Sequence, residues 1–332
     1  MKKLFLRILP AAVLCAVLGA GLCGCGNLPS PDTGDADDRD WSIGNTSISD
    51  PVENLAVKWV DGTVTVGCHD GDDILVEETC NKPLTEETTL HWRLDGTTLH
   101  VEYGTPGPRV SLTSLNKQLT VLLPKSCALG SAAVSVSSGD VFLEDLQADQ
   151  LALSASSGSV SAACQADSVA ISASSGDITV ECKAKTVSIS TSSGFITLAQ
   201  KGAAESVSLD TSSGDITAVL DRAARLEADT SSGFIDVTAA DLEDASFHSS
   251  SGSMTLRSGT CPRKLTVDTS SGDVTVAVPD TPGFTARIDT SSGDFDSGIA
   301  LSKNGDTYSC GDGSGSFQID TSSGNVKLLN AA

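Results

Sequence analysis

A tetrad of the form Thr-Ser-Ser-Gly, or a close variant, recurs ten times in this chain, with an apolar residue following each copy. Its glycines run from Gly139 to Gly324 at successive gaps of 19, 18, 18, 20, 19, 19, 20, 21 and 31 residues. So regular a period marks a stack of equivalent units. A chain built this way makes a repeated surface more readily than a single reaction centre.

Aligned on the glycine, the flanking residues alternate. Seven, five and three positions before it stand Leu151, Leu153 and Ala155, then Val169, Ile171 and Ala173, and later Leu265, Val267 and Thr269. Two and four positions after it stand Ile178 and Val180, Ile196 and Leu198, Ile235 and Val237. A period of two is that of a half-buried strand. The glycine sits where the alternation changes phase, at a bend that needs a positive φ or a close backbone approach. A disordered or glycosylated Ser/Gly-rich stalk would not maintain five apolar positions per repeat. An antiparallel sandwich also has many short strands, but identical residues at identical offsets favour stacking. The pattern therefore predicts an all-β parallel β-solenoid of nine to ten coils, roughly 45 Å long at a strand spacing of about 4.8 Å. Aromatic residues are only 4% of the chain, as a narrow coil requires.

Four segments follow. Residues 1–24 read as a lipoprotein signal peptide: Lys2, Lys3 and Arg7, an apolar run from Ile8, and the ending Leu22-Cys23-Gly24-Cys25. The ending resembles a bacterial lipobox and makes Cys25 the lipidated residue; the run is short for a membrane span of about 20 residues. Residues 25–40, polar and acidic, form a flexible tether. Residues 41–130 form a less regular β entry module, with short alternating strands separated by turns such as Asp61-Gly62 and Asp95-Gly96. Residues 131–332 form the solenoid, with an insertion near 296–316.

The entry strand Leu-Thr-Val-Leu-Leu-Pro at 119–124 and the repeated Ser-Ser-Gly-Asp-[Ile/Val]-Thr motif together resemble the bacterial DUF4097 family, described as adhesin candidates. The resemblance extends from about Trp41 to Leu329. It implies a β-solenoid-like domain at the cell surface and brings no catalytic residues.

Removing residues 1–24 leaves 18 basic against 43 acidic residues, a net charge of −25. Nucleic acid needs a basic footprint and is excluded as a partner. Seven cysteines remain once Cys15, Cys23 and the anchor are set aside, an odd number that leaves at least one thiol unpaired within the chain. Cys164 and Cys182 each lie six residues after a repeat glycine, so they are ladder neighbours; the register allows a disulfide or an inert buried ladder. Cys68 and Cys80 are the other local pair.

Two outward rows carry the polar chemistry. Four residues before the glycine they include Asp210, Asp229, His248, Asp268 and Asp289; one residue after it, Asp and Ser alternate with Phe195 and Phe234. Rows of carboxylates repel unless screened. Ca²⁺ is the ion such a row would take, but calcium-binding glycine repeats are missing and a solvated face is the default reading. His248 interrupts the Asp row, where a lone histidine is ordinarily neither ligand nor base. Phe195 and Phe234 are either stacking platforms for sugar or peptide or lids folded back over the core, the second being the ordinary outcome. No nucleophile elbow accompanies the serines. These features predict a non-enzymatic, lipid-anchored surface protein that binds or adheres through the side of an acidic rod. The alternatives are an envelope-stress sensor or scaffold with membrane protein partners and, third, a polysaccharide-active β-helix enzyme.

Overall fold

The structure, a computed structural model, describes residues 41–106 and 114–331. The signal peptide, Cys25 and the tether lie outside the described residues. Every regular element among the described residues is a β-strand, and the repeats stack in parallel as a solenoid. Val160–Ser175 and Ile178–Ser193 pair with equivalent residues opposed throughout, Val169 to Val187 and Ile171 to Ile189. The core is the expected column of aliphatic side chains, with Val169, Ile171, Val187, Ile189, Ile216 and Ile235 all buried.

The glycine bend is set by close approach. A Cβ on Gly158 would sit 2.1 Å from the carbonyl oxygen of Gly139, and one on Gly214 would sit 1.9 Å from that of Gly194. Gly158 has a left-handed φ of +119°, whereas Gly214 does not. Stacking of backbone on backbone is therefore the shared constraint, and positive φ is a local addition.

The column continues past the predicted start of the solenoid. Strand Asn54–His69 pairs in parallel with Leu129–Ser157, placing Gly62 on Gly139. On its other side it pairs in parallel with Thr98–Glu102 and Lys117–Pro124. The Asp61-Gly62 pair, read from sequence as a turn between strands, is thus a level of the same stack.

Stacking order departs from chain order at the far end. Gly324, and not Gly293, lies on Gly272, and Gly293 lies on Gly324. Strand Gly315–Thr321 is inserted between Lys264–Thr269 and Gly283–Thr290. The outermost coil at each end is covered by antiparallel strands: Ile74–Thr79 on Lys117–Pro124 and His91–Asp95 on Thr98–Glu102 at one end, Thr307–Gly311 on Gly283–Thr290 at the other. The 296–316 insertion supplies that last cover. Antiparallel strands shield an edge that would otherwise template further parallel pairing.

The large aromatics concentrate at these ends. Trp59 and Tyr103 meet edge to face at 4.9 Å, and Phe284 and Phe317 stack at 4.3 Å. The column itself admits one ring at Phe247, which is buried between Ala228 and Val267 in the stack.

Candidate binding face

The two outward rows flanking the bend have different jobs. One residue after the glycine, Asp140, Asp177, Asp215 and Asp273 reach along the rod. Asp140 Oδ1 accepts from the Ser159 N–H at 2.8 Å, Asp177 Oδ1 from Phe195 at 2.9 Å, and Asp215 Oδ1 from Phe234 at 2.9 Å. Asp273 Oδ1 accepts from Asn325 at 2.8 Å. These carboxylates satisfy main-chain donors at the bend, a role that spacing alone does not reveal.

The residue whose N–H is satisfied is free to vary, and twice it is phenylalanine. Phe195 is 53% exposed and Phe234 60% exposed. The ordinary expectation that they fold back over the core is corrected: the interior beneath them is already filled by Ile196 and Ile235, both buried. With one coil between them, they stand roughly 10 Å apart along the rod. On the intervening coil Val219 lies on the same outward face and is 54% exposed.

Three residues before the glycine, Ala155 and Ala173 give way to Thr in later coils. Thr230 Oγ1 donates to Gly214 O at 3.2 Å, and Thr290 Oγ1 to Gly324 O at 3.0 Å. Thr211 and Thr321 donate to the glycine column in the same way, whereas the buried hydroxyls of Thr191 and Thr269 at the same offset make no hydrogen bond.

Four residues before the glycine, the row runs Ser190, Asp210, Asp229, His248, Asp268, Asp320, Asp289 in spatial order. Asp289 therefore lies beyond Asp320, at the end of the row. The stretch from Asp210 to Asp268 lines a shallow groove of about 330 Å³ with the neighbouring serines and threonines. His248 is exposed, its Nε2 3.1 Å from Ser246 Oγ. Burial pushes the Asp229 carboxyl up, Glu227 and Asp210 add to the rise, and His248 opposes it. Among the described residues no group of three or more His, Cys, Asp or Glu side chains is placed to hold a metal ion.

The seven cysteines among the described residues are free thiols. Cys164 and Cys182 lie opposite each other in register as free thiols, Cys182 buried and Cys164 half-buried. Burial pushes their thiols up to about 11 and about 12. Cys182 Sγ donates to Gln200 Oε1 at 3.1 Å. The Cys68–Cys80 pairing is not made: Cys68 Sγ points to Asp145 O and Cys80 Sγ to Leu115 O. Gln200, which sequence reading passed over, is buried on the strand that follows Gly194, Ile196–Ala204, where its Nε2 donates to Ala184 O at 2.7 Å.

A family model described as Toastrack DUF4097 matches residues 52–165 and 163–329. Two solved structures are similar. One is a "putative cell adhesion protein" from Clostridium sporogenes, at 10% identity, covering 88% of this chain and 98% of that one, with a TM-score of 0.22. The other is a "putative adhesin" from Bacteroides fragilis, at 12% identity, covering 72% and 96%, with a TM-score of 0.39. No curated protein matches the chain.

Proposed function

The chain belongs to the Toastrack DUF4097 family, and from that premise we propose that it is a non-enzymatic surface protein, held to the bacterial membrane through lipidated Cys25, that binds protein or glycan with the side of its rod. The observation that carries this reading is the exposure of Phe195 and Phe234 on a row otherwise filled by Asp, Ser, Thr and Asn. Exposing two large aromatic rings at a rigid bend is costly in water and useful for stacking on a flat partner. Asp215 between them and the acid row nearby favour a neutral or cationic partner over an anionic one.

The test is retention of the full-length protein, displayed on cells, on a panel of glycans and host or bacterial surfaces, alongside the Phe195→Ser/Phe234→Ser double variant. Serine already occupies this row at Ser159 and Ser253, so folding should survive. At least a tenfold loss of retention is expected. Retention unchanged in the double variant, or no retention of the parent on any surface, would overturn the proposal.

A further inference from the structure

The covered end formed by residues 54–106 and 114–124 contains a group that surface binding does not require. Lys117 is fully buried, and its Nζ lies 2.7 Å from Glu78 Oε2, itself in a side chain only 4% exposed. Nζ donates to the carbonyls of Thr88, at 2.7 Å, and of Tyr103. The Trp59 and Tyr103 rings close over it at 4.7 and 3.9 Å. Asp61 is buried nearby and occupied separately, accepting from the hydroxyls of Tyr103 and Ser114.

Glu78 is held unevenly. Oε1 accepts the Leu90 N–H at 2.5 Å. Oε2 makes no hydrogen bond of acceptable geometry, despite its closeness to Nζ. The two groups are thus in close contact, within ion-pair distance but without hydrogen-bond geometry. Both backbones are fixed: Glu78 pairs with Leu119 in the antiparallel cover, and Lys117 stacks on Gly62.

Burial disfavours the charged pair, since neither ion recovers its full hydration, although the two ring faces and the two carbonyls favour the ammonium form. Burial lowers the basicity of Lys117 although Glu78 opposes that effect, and a desolvated lysine is a nucleophile. Fixed contact supplies the proximity that makes an otherwise slow condensation feasible.

We propose that Lys117 and Glu78 condense to an intramolecular amide. Nζ bonds to Cδ of Glu78, and the Cδ–Oε2 bond breaks. Oε2 leaves as water with two of the three ammonium protons, and the amide nitrogen keeps the third. Ammonium plus carboxylate becomes amide plus water, so no oxidant, cofactor or activating group enters. Oε1 becomes the amide carbonyl oxygen, with the Leu90 N–H placed to stabilise the oxyanion of the addition step. The link ties the antiparallel cover to the outermost coil and seals that end of the stack covalently.

The experiment is peptide mapping of the reduced, full-length protein after tryptic digestion. The expected product is a branched species joining the peptides that carry Glu78 and Lys117, lighter than their sum by one water, with no cleavage after Lys117. The linear peptides should be lost. Lys117→Arg and Glu78→Ala should each abolish the branched species. The parent protein decides the matter whether or not those variants fold: recovery of linear Glu78 peptide and cleavage after Lys117 would overturn the proposal.

Discussion

Asp215 Oδ1 accepts the main-chain N–H of Phe234, one coil further along the rod, at 2.9 Å. The contact explains why an acid recurs just after the glycine without forming an ion site: its function is to satisfy a donor that the bend leaves over. The requirement is for an acceptor oxygen, since Asn325 Oδ1 receives the Asp294 N–H in the same way at 3.0 Å. Asp215→Ala is expected to cost about 1 kcal/mol, the net value of one such bond, and Asp215→Asn clearly less. Urea unfolding of the three proteins compares the two losses; equal losses would show that charge, not acceptance, matters.

Gly214→Ala tests the column itself. The added methyl would lie 1.9 Å from the Gly194 carbonyl oxygen, which belongs to the backbone and cannot swing away. The expected loss is about 3 kcal/mol or more, in the range reserved for severe backbone conflict. A midpoint within 1 °C of the parent would mean that coils separate easily, contrary to the packing described. Gly305, where a Cβ meets nothing within 4 Å, provides the control for general loss of glycine, apart from its own left-handed φ of +59°.

The repeat made the solenoid legible because its information is periodic. Val169 and Val187 hold equivalent offsets, and the fold makes them neighbours. What periodicity could not show was order where it fails. Gly293 and Gly324 fit the motif equally well, and the order in which they stack is set by strand pairings that the motif does not encode. Gly62 was hidden for the opposite reason: Asp-Gly is the commonest turn signal, and its copy of the motif lacks both serines. Within the site, the rows were visible but not their partners. The bonds from Asp177 and Asp215 to the next coil depend on stacking, and the exposure of Phe195 depends on the core beneath it being full. The Lys117–Glu78 contact joins residues on separate strands with no spacing rule between them.

The cysteine ladder should be chemically silent in the folded protein. Thiols raised to about 11 for Cys164 and about 12 for Cys182 are almost entirely protonated at pH 8, and the thiolate is the reactive form. Iodoacetamide at pH 8 is expected to leave both unlabelled over a time that labels them fully in urea. Mass mapping of the alkylated peptides measures this. Rapid labelling of Cys182 in the native protein would show that the packing around Gln200 opens.

Asp229 gives the acid row a defined pH response. Its carboxyl is raised above the ordinary value of 3.8, first by burial, then by Glu227 and Asp210, against the pull of His248. A carboxyl raised on folding contributes stability that is fully present below its unfolded value. That contribution is lost as pH rises through the folded value. At neutral pH the ionised side chain therefore opposes the fold, and Asp229→Asn should have a higher melting temperature than the parent. The advantage should shrink as pH falls through the carboxylate range and flatten below about 3.8, where the parent carboxyl is protonated in both states. Salt distinguishes the causes: screening reduces the share due to Glu227 and Asp210 but leaves the larger share due to burial. Melting curves of both proteins from pH 3 to 8, at low and high NaCl, measure this. A variant that is less stable at pH 7 would mean that attraction to His248 outweighs burial in this row.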